Sequence, residues 1–157
     1  MTYLMTIDSG NTHVKWGLHD GSNWLEQGTI AQDKSILLQQ EWKSLPTPHG
    51  IIISNVSSIE AMKKLSEFLS CWKIEPRWIT PLVYQCGVRN YYADPSLLGS
   101  DRWAALIAAW NWQKKGCLVV DVGTAMTVDA LSDTGEFLGG IIVPGFKLMK
   151  ESLTTNI

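Results

Sequence analysis

Asp8-Ser9-Gly10-Asn11-Thr12, which follows the apolar run 3–7, and Asp121-Val122-Gly123-Thr124-Ala125, which follows 117–120, state one pattern twice. Both copies lead into a second strand-like stretch, at 12–18 and 126–131. A buried strand, an Asp, a turn glycine, a small hydroxyl or amide residue and a returning strand together form a phosphate-facing hairpin. The glycine allows φ > 0 and close backbone approach, so turn N–H groups can point at an anion. The Asp can hold a metal ion, or its water, against that same anion. An Asp-x-Gly turn is common, and either copy alone reads as an ordinary hairpin. Two copies 113 positions apart point to two related domains closing on one nucleotide.

Working outward, residues 3–7, 12–19 and 24–30 read as three successive strands, with Asp20-Gly21-Ser22-Asn23 as a hairpin signal. Asp33 is placed to cap a helix through about Ser44, with Ile36, Leu37 and Gln40 at helical spacing. Ile51-Ile52-Ile53 is a β-branched run of the kind buried in a parallel strand. Ser57 or Ser58 then caps a helix to about Trp72, with Ile59, Met62, Leu65, Phe68 and Leu69 on one face. Another strand is expected at 77–80. This βββαβαβ order is the ribonuclease-H-like pattern of actin-like ATPases, and no Rossmann or P-loop glycine motif occurs. An irregular stretch, 81–98, precedes a helix over 100–115. Strands at 117–121, 126–131 and 136–143 then repeat the opening, and Pro144-Gly145 turns into a helix near Phe146 or Lys147. The expected division is 1–115, a first actin-like ATPase domain with its connecting helix, and 116–157, the opening strands of an incomplete second one. The second copy has 41 positions against 80 in the first, so a C-terminal truncation is expected.

The bulk numbers exclude several classes. Of 157 residues, 45% are hydrophobic and 18% charged, which is globular rather than disordered. A net charge of −2 offers no basic footprint, so no nucleic-acid partner is expected. Cys71, Cys86 and Cys117 form no C-x-x-C pair, which argues against a disulfide framework or zinc site and for a reducing, cytoplasmic setting. His13, His19 and His49 have no mutual metal spacing. The N-terminus has no basic leader, and the apolar runs fall short of the ~20 residues that span a bilayer, so no membrane is expected.

Four motifs carry a resemblance. Asp8-x-Gly-Asn-Thr-x-x-Lys15, Gly99-x-Asp101-Arg102 with Ala104-Ala105, Asp121-x-Gly-Thr-Ala-x-Thr127 and Gly139-Gly-x-Ile-x-Pro144-Gly145 resemble, in order, the type III pantothenate kinases, grouped with the Bvg accessory factor proteins. The resemblance implies an acetate and sugar kinase/Hsp70/actin fold and a homodimer. It also implies ATP-dependent phosphorylation of pantothenate, the first step of coenzyme A biosynthesis. ATP, Mg2+ or another divalent cation, and K+ or NH4+ are the implied cofactors.

Site residues follow from the same resemblance. The first motif, Asp8, Ser9, Gly10, Asn11, Thr12, His13, Val14 and Lys15, corresponds to the ATP-phosphate cradle, with Asp8 holding a divalent ion through water. Phosphoryl transfer needs such a metal and a cation such as Lys15. Asp101 corresponds to the proton acceptor, without which a primary alcohol is a poor nucleophile; alone it would read as a first-turn helix Asp. Arg102 corresponds to a ligand of the substrate carboxylate, which a guanidinium fork suits. Tyr92, Gly99 and Ser100 complete the implied substrate set, with Tyr91 an alternative to Tyr92. Asp121 corresponds to a monovalent-cation site and Thr124 to an ATP contact. Gly139, Gly140, Pro144 and Gly145 fit a nucleotide-side turn and a purely structural turn equally. The alternative functions are a noncatalytic nucleotide-binding or regulatory protein of the same fold, an inactive fragment, and, more distantly, another sugar or acid kinase.

Overall fold

Leu4–Ser9 alternates in burial: Met5, Ile7 and Ser9 face inward while Leu4, Thr6 and Asp8 do not. That period of two makes it a strand with one core face. In the computed structural model, which describes residues 2–155, it is β1. β2 (His13–His19) and β3 (Trp24–Ala31) return beside it in antiparallel register, and β4 (Gly50–Asn55) and β5 (Arg77–Trp78) continue the sheet in parallel. The strand order β3-β2-β1-β4-β5 is the ribonuclease-H-like arrangement expected of an actin-like ATPase.

The segment after β3 departs from expectation. Asp33 caps nothing: a 3-10 turn, Gln32–Leu37, begins at Ala31 without a side-chain cap, followed by α1 (Leu38–Glu41) and a second 3-10 turn, Trp42–Ser44. Leu38 and Trp42, four apart, are buried, while Ile36 and Leu37 are exposed. Tertiary packing sets this register. Trp42 stacks on Trp72 at 5.3 Å and meets the edge of Trp16, whose indole N–H donates to Glu41 Oε2 at 2.9 Å. In α2 (Ile59–Leu69) the cap is Ser58, whose hydroxyl accepts the Ala61 N–H. Leu65, Phe68 and Leu69 face the core as expected, whereas Ile59 is exposed.

By packing, the chain divides into Met1–Ile79 and Thr80–Ile157. The division therefore falls at 79/80 and not at the expected 115/116, because residues 84–113 pack with the second sheet. Within the stretch expected to be irregular, β6 (Tyr84–Gln85) and β7 (Val88–Asn90) form a hairpin, and β7 pairs in parallel with β10 (Glu136–Pro144). α3 (Ser100–Gln113) lies on β7, β8 (Cys117–Val122) and β9 (Ala125–Leu131), burying Trp103 and Leu106 completely. The Trp103 indole N–H donates to Gln85 Oε1 at 2.8 Å. The order β6-β7-β10-β9-β8 repeats the β1–β3 opening in β8–β10. Where β1 has β4 beside it, β8 has no such neighbour among the described residues. α4 (Phe146–Thr155) follows β10. The register Val120↔Val128↔Ile141 defines the sheet face opposite α3, on which Leu118, Val120, Val122 and Ile141 are exposed. No helix among the described residues is long and apolar enough to cross a membrane.

Candidate active site

The first hairpin closes tightly. Gly10 N–H donates to His13 O at 2.9 Å, and Gln32 N–H ties β3 to Thr12 O at 2.8 Å. Gly10 does not use the left-handed conformation that glycine allows, nor does Gly123, its counterpart in the second copy; neither is among the positive-φ glycines. A Cβ added at Gly10 would meet only His13 O, at 3.4 Å, and at Gly123 only Ala125 O, at 3.8 Å. The protein itself therefore tolerates a side chain at either turn, and the open space suits a close-lying phosphate. Asp8 and Lys15 are directly opposed across β1 and β2, with Lys15 Nζ 3.9 Å from Asp8 Oδ2, both partly exposed. Asn11, Thr12 and His13 are exposed around the turn. Ser9 and Val14 are instead buried: the Ser9 hydroxyl lies 3.1 Å from that of Ser57, and Val14 belongs to the core.

The second unit gathers the other residues at the start of α3. Gly99 is its N-cap, and Ser100 is buried in the first turn. Asp101, half-buried, accepts the Arg102 N–H through Oδ1 at 2.7 Å. The Arg102 side chain turns inward, 9% exposed, onto Asp129, which is 2% exposed. Its Nε–H donates to Asp129 Oδ2 at 3.0 Å and its Nη2–H donates to Asp129 Oδ1, a bidentate pair. This bonding holds the Arg102 pKa above its usual value, against the opposing effect of burial, and the Tyr92 hydroxyl adds to it. The guanidinium lies 5.8 Å from the Phe137 ring centre, and Tyr92 packs on the same ring at 5.5 Å. Tyr92, rather than Tyr91, is thus the tyrosine beside Arg102. Tyr91 points its hydroxyl to Glu136 Oε1 at 2.8 Å, which raises the phenol pKa. Asp94 caps the 3-10 turn Pro95–Leu97 by accepting from Ser96, which lowers its own pKa.

At the end of β8, Asp121 is exposed and shares its sheet face with Asp129, through the adjacent rows Asp121↔Thr127↔Ile142 and Val119↔Asp129↔Gly140. Thr124 sits in the β8–β9 turn and its carbonyl accepts the Gly145 N–H at 2.9 Å. The glycines after β9 have structural reasons. A Cβ on Gly145 would collide with the carbonyls of Gly123 and Thr124, and one on Gly140 with Asp129 Oδ1.

Asp129 and Phe137 were not singled out in the sequence. The available signal was a lone carboxylate inside an apolar, alternating strand, which demands a buried cation as partner. Among the described residues no group of three or more His, Cys, Asp or Glu could hold a metal, and the three cysteines are free. Asp8, a partly exposed carboxylate, has the donor chemistry of a divalent-ion ligand that acts together with phosphates and water.

The comparisons agree with one another. The family model for type III pantothenate kinase matches residues 4–157. A type III pantothenate kinase of Nitrosospira multiformis is 60% identical over 154 residues, covering 98% of this chain and 59% of that protein. Among solved structures, a conserved Baf family protein of Campylobacter jejuni superposes with a TM-score of 0.54 at 25% identity, over 98% of this chain and 60% of the other. The ethanolamine utilization protein EutJ of Carboxydothermus hydrogenoformans reaches 0.56 over 99% and 57%, at 10% identity, a likeness of fold alone. The chain spans 59–65% of the length of the curated relatives it matches. With the family model matched from residue 4 to residue 157, the chain belongs to the type III pantothenate kinase family.

Proposed function

We propose that the protein carrying this chain transfers the γ-phosphoryl group of ATP to the primary hydroxyl of pantothenate, giving 4'-phosphopantothenate, the first step of coenzyme A biosynthesis. The observation that carries this reading is Asp101: a half-buried carboxylate at the start of α3, one residue before a locked guanidinium. A carboxylate beside an anion-binding group suits a substrate with an alcohol at one end and a carboxylate at the other. In the reaction, the hydroxyl oxygen bonds to the γ-phosphorus as the bridging P–O bond breaks. Asp101 accepts the hydroxyl proton, and ADP departs with the bridging oxygen. Such a base contributes about 10²–10⁴ in rate.

Arg102, Tyr92, Gly99 and Ser100 bind pantothenate in this reading. The turn at Gly10, Asn11, Thr12 and His13, with Lys15, binds the ATP phosphates, Thr124 contributes an ATP contact, and Ser9 and Val14 take part only through the main chain. A divalent ion, when bound, neutralises phosphate charge, and Asp8 holds it through water. Asp121 with main-chain oxygens holds K+ or NH4+, for which one carboxylate is enough. The protein acts in the cytoplasm as a homodimer. The test is mass spectrometry of pantothenate incubated with the protein, ATP and Mg2+. A phosphorylated product is expected, and unmodified pantothenate refutes the reading.

A further inference from the structure

Arg102 is the group that the kinase reading asks to recognise the substrate carboxylate, yet one of its two bidentate edges is already taken. Asp129 occupies the Nε/Nη2 edge. The edge formed by Nη1 and the second Nη2 hydrogen is not used by Asp129, and the Tyr92 hydroxyl is the other group that acts on the guanidinium. We propose that Asp129 is a positioning residue: it clamps Arg102 by the first edge so that the second is presented to the substrate carboxylate. The inference rests on the kinase reading.

Several features hold the clamp in one geometry. Asp129 is in the middle of β9, almost fully buried, and its register partner on β10 is Gly140. A Cβ at Gly140 would strike Asp129 Oδ1 and come within 2.8 Å of Arg102 Nη2, so the missing side chain is the space in which the pair sits. Phe137, beside Gly140 on the same strand, and Tyr92 flank the guanidinium. The Arg102 main chain is tied to the Asp101 carboxylate at 2.7 Å. Fixing Arg102 therefore also fixes the distance between the anion site and the base. The pair has no net charge, so recognition by the second edge depends on hydrogen-bond geometry more than on excess positive charge. A fold needing only packing here would be served as well by apolar residues, since a buried ion pair is weakly stabilising at best.

The test uses the intact protein with pantothenate and with its neutral carboxamide, which keeps the same alcohol. Asp129→Asn preserves size but gives up the charge. Asp129→Glu preserves the charge but displaces the guanidinium by about one methylene. Loss of one charge-assisted bond at a fixed site corresponds to about tenfold in affinity. Each variant is expected to raise KM for pantothenate by about that factor, to leave the KM for ATP nearly unchanged, and to shrink the preference for pantothenate over the carboxamide. An unchanged preference in either folded variant overturns the proposal, as does an equal rise in KM for both compounds. If Asp129→Asn does not fold, Asp129→Glu decides alone. If neither folds, Asp129 is only a charge partner for the fold, and the proposal is likewise overturned. Wild-type protein that turns over neither compound fails the kinase reading instead, a result distinct from all of these.

Discussion

Gly140→Ala isolates the space in which the Arg102–Asp129 pair sits. The new methyl group would clash with Asp129 Oδ1 and lie 2.7 Å from Val128 O and 2.8 Å from Arg102 Nη2. Val128 O is main chain on the neighbouring strand, and the other two atoms belong to a buried ion pair, so none of the three is a flexible side-chain end free to swing into solvent. Either β10 moves away from β9 or the pair parts. Overpacking of a tight interior costs about 1–3 kcal/mol. Breaking a buried pair costs about 3–5 kcal/mol, because a charge is left without its partner. A pair that is loosened rather than lost puts the expected penalty near 3 kcal/mol. With a urea slope of about 1–3 kcal/mol per molar, the midpoint should fall by about 1–3 M. Equilibrium urea unfolding, followed by circular dichroism and tryptophan fluorescence, reads this directly, since Trp103, the residue after Arg102 on α3, is fully buried. A Gly140→Ala midpoint within about 0.3 M of wild type, equivalent to roughly half a kcal/mol, would refute the packing argument.

Gly10→Ala should behave in the opposite way. Its Cβ has room and its φ is not left-handed, so stability should hold or rise by about 0.4–1 kcal/mol, while KM for ATP increases because the methyl group fills the phosphate side of the turn. Unaltered ATP kinetics would show that no phosphate approaches Gly10. Residues 1–157 expressed alone should self-associate and enhance the fluorescence of an apolar dye, since Leu118, Val120, Val122 and Ile141 are all more than half exposed on one sheet face. A monodisperse monomer with no dye response contradicts that expectation.

Elements defined by local pattern were legible in the sequence. Apolar runs and turn signals placed the three opening strands of each copy, and Ser58 was one of two residues expected to cap α2. Elements defined by distant partners were not. β7 has three residues and exists because Glu136 and Phe137 pair with it from far along the chain. The α1 segment follows the stacking of Trp42 on Trp72, not the capping potential of Asp33. Gly10 and Gly123 do not use the φ > 0 that glycine allows, because both turns close through a hydrogen bond that needs no left-handed residue. In the candidate site, Asp101 and Arg102 stood out by motif. Asp129 did not, because its meaning depends on a guanidinium 27 positions earlier, brought to it by the packing of α3 on β9. Ser9 and Val14 lay inside the motif, and strand alternation turned their side chains to the core.

Pantothenate-dependent release of ADP, measured by a coupled assay on the intact protein beside its Asp101→Asn variant, tests the central claim most directly. The wild-type protein should release ADP only when pantothenate is present. The variant should lose about 10²–10⁴ in kcat and keep its ATP affinity, because Asp101 acts on the alcohol and not on the nucleotide. ADP release indifferent to pantothenate, or an Asp101→Asn variant that turns over at the wild-type rate, would contradict the account.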